Sequence, residues 1–130
     1  MRLSHSHIRI GSFQRLAYLE DVAGLQHLLD YAIATYYPEL AGAADPTAAF
    51  LTAVVARVAR LGAQYIAAGF VHGVLNTDNI NITGESFDYG PWRFIPTYDP
   101  GFTAAYFDQT GLYSFGRQPD ALAWNLTRLA

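Results

Sequence analysis

Four polar side chains lie close together near the middle of the chain: His72, Asp78, Asn79 and Asp88. Asn79 and Asp88 offer one amide oxygen and one carboxylate. A hard cation such as magnesium takes oxygen ligands, commonly one or two carboxylates with phosphate and water completing the set. Asp78, beside Asn79, is then free to accept a proton or to orient an attacking hydroxyl. These residue types suit a site that holds a metal and a nucleotide, where charge neutralisation matters more than covalent help from the protein. The competing reading is local, because Asn76, Asp78, Asn79 and Asn81 are all residues that turns favour.

Spacing separates the two readings. The catalytic loop of a protein kinase carries an Asp two residues after its His and an Asn seven after it. Here Asn79 falls on that schedule from His72, but the base position is Val74, which cannot take a proton. Downstream, Asp88-Tyr89-Gly90 is a near copy of the kinase Asp-Phe-Gly that holds magnesium. The pattern is that of a metal–nucleotide site that does not run ordinary kinase chemistry. His72 follows an apolar pair and is expected to brace the loop through backbone hydrogen bonds rather than to titrate. All eight basic residues are Arg and none is Lys. The Lys that kinases and P-loop enzymes place on phosphates is therefore replaced by Arg or lies outside this chain.

Other candidates carry less. His5 and His7 share a face on a strand but have no third ligand signalled, and His27 is expected on a helix surface. Arg2 and Arg9 stand seven residues apart, either as planar phosphate-binding forks or as ordinary solvated charges. For Arg93 an ion pair is expected. The aromatic residues Trp92, Phe94, Tyr98, Phe102, Tyr106, Phe107, Tyr113 and Phe115 read as core rather than as a stacking platform.

The elements that must position these residues are mainly helical. With 130 residues, 52% hydrophobic and 15% charged, the chain is at most one domain with a real core. A net charge of −3 gives no nucleic-acid footprint, and the lack of Cys removes disulfides and thiolate metal sites. The sequence shows no secretory signal and no apolar run of membrane-spanning length, so a soluble cytoplasmic protein is expected. The stretch Leu3–Phe13 reads as a strand or extended entry ending at a Gly-Ser turn. Apolar periodicity predicts a helix from about Leu19 to Tyr37, with Glu20 and Asp21 in its first turn. Asp45-Pro46 starts a second helix, expected to run to Ala68 with Gly69 as its stop. A short hairpin around Gly84-Glu85 should join residues 80–83 to 86–87. A last helix begins near Pro119-Asp120 and runs to Ala130, with Leu122, Trp124, Leu126 and Leu129 available for burial. The expected fold is mostly α with one small β-hairpin, in the element order of part of a kinase C-lobe.

Taken together, Arg2–Phe13, His72–Asn79, Asp88-Tyr-Gly-Pro91, Tyr98–Phe102 and Trp124-Asn-Leu126 resemble the selenoprotein O (SelO) family, in the family's order along nearly the whole chain. The resemblance implies a protein-kinase-like fold with a flipped nucleotide. It implies transfer of AMP from ATP to Ser, Thr or Tyr hydroxyls of proteins, with magnesium. By motif, Asp78 is the proton acceptor, Asn79 and Asp88 the magnesium ligands, and Arg2 and Arg9 the phosphate contacts, with Asp88 also facing the nucleotide. The flipped pose explains Val74, since the hydroxyl then approaches a different phosphorus. The family's N-lobe and its C-terminal redox region have no counterpart here. Residues 1–130 thus read as a single partial domain whose N-lobe could be supplied by another chain. The rival readings are an atypical phosphotransferase using Asp78 as base, and a catalytically inactive nucleotide- or partner-binding remnant.

Overall fold

Helix α3 (Pro46–Ala68) follows the sequence pattern closely in this computed structural model, which describes residues 4–130. Asp45 caps it, its carboxylate accepting from the Ala48 N–H at 3.0 Å, and Pro46 fills the first helical position. Gly69 ends it at φ 65°, ψ 25°, a left-handed conformation that glycine adopts without a Cβ penalty. Phe50, Val54, Val58, Leu61 and Tyr65 are its buried face, while Val55 and Ile66 are exposed. By length and composition α3 could cross a membrane, which corrects the expectation that no such run exists. Here its apolar face packs in the core, and the helix contacts α4 (Gln118–Leu126), β1 (Phe70–His72) and α2 (Val22–Tyr36).

The N-terminal region departs from expectation. Helix α1 (Ile10–Tyr18) begins where an extended segment was read to continue to Phe13. The extended part stops at Arg9, which bridges to Asn81. Gly11-Ser12, read as a turn, is the first turn of this helix, and the Ser12 hydroxyl accepts from the Arg9 N–H at 3.4 Å. The second helix is α2, not a continuous run from Leu19. Glu20 takes φ 55°, and Asp21 caps α2 by accepting from Gly24 N–H at 2.8 Å. Glu20 and Asp21 therefore precede the helix instead of lying in its first turn.

Strand β1 pairs antiparallel with β2 (Trp92–Phe94), matching Phe70 to Phe94, Val71 to Arg93 and His72 to Trp92. The small sheet among the described residues therefore lies elsewhere than predicted. Residues 80–86 do return on themselves, but through a single bridge, Ile80 to Ser86, and a turn closed by Gly84 N–H on Asn81 O at 3.0 Å. The ladder is short because its backbone groups are used by other segments. Ile80 O accepts from Ile10 N–H and Ile82 N–H donates to Ile8 O, both at 3.1 Å. Ile82 O accepts from the Tyr37 hydroxyl, which burial pushes up to about 12.

The main core gathers Ile10, Phe13, Ile33, Tyr37, Phe50, Val54, Leu75, Ile80, Ile82 and Leu122. A smaller cluster joins Val71, Ala104 and Phe115. Most of the aromatic run lies outside both: Trp92, Phe94, Tyr98, Tyr106 and Phe107 are exposed, and Phe115 alone of that set is buried. Helix α4 starts at Gln118 and ends at Leu126, short of the expected Ala130. Leu122 is buried on it, whereas Trp124 is 61% exposed and the buried neighbour is Asn125.

Candidate active site

The loop from Gly73 to Asn79 is held from three sides. Asn76 accepts from the Asp78 N–H at 3.0 Å and opens a 3-10 turn over Thr77–Asn79, so Asn76 is a turn former, as the local reading held. From α1, Gln14 Oε1 accepts from the Thr77 hydroxyl at 2.7 Å. From α4, Asn125 Nδ2 donates to Leu75 O at 2.6 Å. Gln118 Oε1 accepts from His72 N–H at 3.0 Å, while its Nε2 donates to Phe70 O at 2.9 Å. Gln118 and Asn125 are both buried, where an unmade hydrogen bond is costly.

These supports converge on Asp88. His72 is fully buried, and its Nδ1 accepts from the Val74 N–H at 3.1 Å. That bond assigns the ring proton to Nε2, which donates to Asp88 Oδ1 at 2.9 Å. Asn79 Nδ2 donates to the same oxygen at 2.9 Å. His72 thus braces the loop through backbone, as expected, and also holds the acidic turn. With Oδ1 gripped by two donors, the carboxylate is oriented and its side chain remains 39% exposed. The neighbouring Gly90 leaves room, since a Cβ there would sit 3.3 Å from Asp88 Oδ2.

Asp78 faces the other way, into an open groove of about 700 Å³ that Arg9, Gly11, Arg15 and Thr77 help to line. Its Oδ1 lies 3.7 Å from an Arg9 terminal nitrogen, in a pair that is 36% exposed on the Arg side and 63% on the Asp side. An exposed pair of this kind contributes little stability. Gly11 allows the approach: a Cβ there would come within 2.2 Å of Asp78 Oδ1. The Arg9 guanidinium lies 4.8 Å from the Phe87 ring centre, one residue before Asp88. Its Nε is buried without a partner among the described residues.

The structure therefore brings Asp78 to Arg9 and Asn79 to Asp88, with the Thr77–Asn79 turn joining the pairs. Arg2 lies outside the described residues. No cluster of three or more His, Cys, Asp or Glu side chains forms among the described residues. His5 pairs with Glu85 at 3.2 Å instead, and His27 is exposed as expected. Arg93 forms no ion pair among the described residues, contrary to expectation. Sequence reasoning missed Gln14, Gln118 and Asn125. The only available signal was an amide inside an otherwise apolar helical stretch, as with Asn125 between Trp124 and Leu126.

Curated proteins from several bacteria match 99% of this chain, three of them among the most similar. These three come from Synechocystis sp. at 58% identity, Trichormus variabilis at 54% and Gloeobacter violaceus at 52%, and each is named protein nucleotidyltransferase YdiU. The class of protein around this fold and site is thus a family of nucleotidyltransferases. The chain belongs to the family described as protein adenylyltransferase SelO, whose sequence model matches residues 1–130. It spans 27–28% of the length of these relatives.

Proposed function

We propose that this chain is the catalytic-loop part of a protein adenylyltransferase with a kinase-like C-lobe, transferring AMP from ATP to Ser, Thr or Tyr hydroxyls. The observation that carries this reading is the oriented carboxylate: Asp88 is gripped on one oxygen by His72 and Asn79, beside an outward Asp78. The donor set fits magnesium, which takes one or two protein oxygens and completes its shell from phosphate and water. Asn79 would join Asp88 in holding it, with the amide turned so that its oxygen faces the ion. When bound, the ion neutralises phosphate charge. The buried, unpartnered Nε of Arg9 suits a phosphate contact, which Arg provides through its fork of donors. Arg2 fits the same role by motif.

In the reaction, the acceptor hydroxyl gives its proton to the Asp78 carboxylate as its oxygen bonds to the α-phosphorus of ATP. The bond from that phosphorus to the bridging oxygen breaks and pyrophosphate leaves. Val74 needs no proton-accepting function, because Asp78 supplies it. On this reading the rest of the nucleotide cleft, an N-lobe included, is supplied from outside residues 1–130, which match 27–28% of the length of the curated relatives.

Intact-mass analysis of an acceptor protein incubated with ATP and magnesium tests this reading. It is run on the chain and on a chimera in which the chain replaces the matching part of a relative. The expected product carries AMP, and Asp78→Asn lowers its rate about 10²–10⁴-fold. A phosphate adduct, or no adduct from a folded chimera, would overturn the assignment.

A further inference from the structure

The residues that carry the Asp78 loop also floor a second groove, on the α4 side. This groove is about 580 Å³, and Arg117, Asp120, Trp124 and Arg128 line it together with Gln14 and Thr77. Gln14 and Thr77 also line the Asp78–Arg9 groove and are hydrogen-bonded to each other. The two grooves therefore meet over one bridge, with the proton acceptor on one side of it. On the α4 side the charge is unbalanced: two guanidinium groups accompany one carboxylate. Neither Arg117 nor Arg128 forms an ion pair among the described residues. Arg128 instead lies over the exposed Trp124 ring at 4.2 Å. Stacking of this kind fixes the guanidinium plane without consuming its N–H donors. The chain as a whole carries −3, so its overall charge does not attract an acidic partner; any attraction must be local to this groove.

We propose that the α4 groove seats the acceptor polypeptide, and that Arg117 and Arg128 select acidic side chains near the hydroxyl delivered to Asp78. An extended segment advances roughly 3.3–3.6 Å per residue, so a few residues reach from α4 across the Gln14–Thr77 bridge. Trp124 gives the segment an apolar surface, and the two Arg read its charge. The fate of the hydroxyl rests on the adenylyltransferase reading, whereas the docking does not.

The test uses short fluorescent Ser peptides, identical except for flanking Glu, Gln or Lys, with binding read by anisotropy in the absence of ATP. The Glu peptide is expected to bind about tenfold more tightly than the Lys peptide, within the range of two exposed charge pairs, and the preference should fade with salt. It should vanish in the Arg117→Gln/Arg128→Gln variant, whose circular dichroism is unchanged, and grow in Asp120→Asn. Equal binding of Glu and Lys peptides, no binding to the folded chain, or a preference that survives in the double variant would overturn the proposal. Glu-selective docking without AMP transfer in the chimera would leave the groove standing and remove the adenylyltransferase reading. AMP transfer without charge preference would do the reverse.

Discussion

His72 shows how one residue can serve a site without touching the reacting atoms. Its ring is spent between the Val74 N–H and Asp88 Oδ1, so its task is to fix a carboxylate. The sequence marked His72, Asn79 and Asp88 through spacing, and all three do meet. It could not show that Asp78 turns to a separate groove with Arg9, because adjacency in the chain says nothing of side-chain direction. Nor could it mark Gly11, which matters only because Asp78 packs over it. This gives a test in which stability and activity part. Gly11→Ala should hold or raise stability, by up to about 1 kcal/mol, since Ala is the better helix former. The same change displaces the Asp78 carboxylate, so AMP transfer by the chimera should fall at least about tenfold, as expected when a general base is misplaced. Thermal unfolding and labelling rate, measured on the same sample, decide it.

Among the elements, α3 was legible from end to end because its signals are local: Asp45 and Pro46 at the start, Gly69 at the stop, and a wide apolar face between. Helix α1 was not, because Gly11-Ser12 reads as a turn until the Ile10–Ile80 backbone bond is known. The aromatic run was misread as core because Trp92 and Phe94 lie on the exposed strand β2 and the others in the irregular segment after it, where period gives no guide to burial. The start of helix α4 was found to within a residue, though it ends at Leu126 rather than Ala130, and its role was not visible: through Gln118 and Asn125 it holds β1 and the loop from Gly73 to Asn79. Gln118→Leu leaves the His72 N–H and Phe70 C=O buried without their partner. It should cost about 1–3 kcal/mol in urea unfolding, whereas Trp124→Ala on the exposed face should stay within about 0.5 kcal/mol. The N-terminal segment has a pH-sensitive tether in Glu85. Burial alone would raise this carboxyl, but the Thr83 hydroxyl and His5 together outweigh it and hold the group below its ordinary 4.5. A depressed carboxylate contributes stability above its unfolded value and loses it as pH falls through the folded one. Amide protection at residues 4–9, taken relative to the intrinsic exchange rate at each pH, should therefore fall below about pH 4.5, and Glu85→Gln should remove that dependence.

At the scale of the molecule, the fold is a helical body that presents one turn, Thr77–Asn79, at the junction of α1, α4 and the Asp88 segment. The chain spans little more than a quarter of its relatives' length, and exposed Trp92 and Phe94 beside Phe70 form an apolar surface of the kind that further chain commonly covers. The central claim, that Asn79 and Asp88 would hold a magnesium–ATP complex, belongs to this scale because β1, α1 and α4 together hold the loop that brings Asn79 to Asp88. Calorimetry of ATP binding to the chain, with and without magnesium, tests it most directly when repeated on Asp88→Asn, which keeps the shape and removes the charge. The account predicts magnesium-dependent binding by the parent chain and a loss of about tenfold or more in the variant, the scale on which a charge-assisted ligand acts, with circular dichroism unchanged. Equal binding by both chains, binding indifferent to magnesium, or a folded parent that binds no ATP would contradict it.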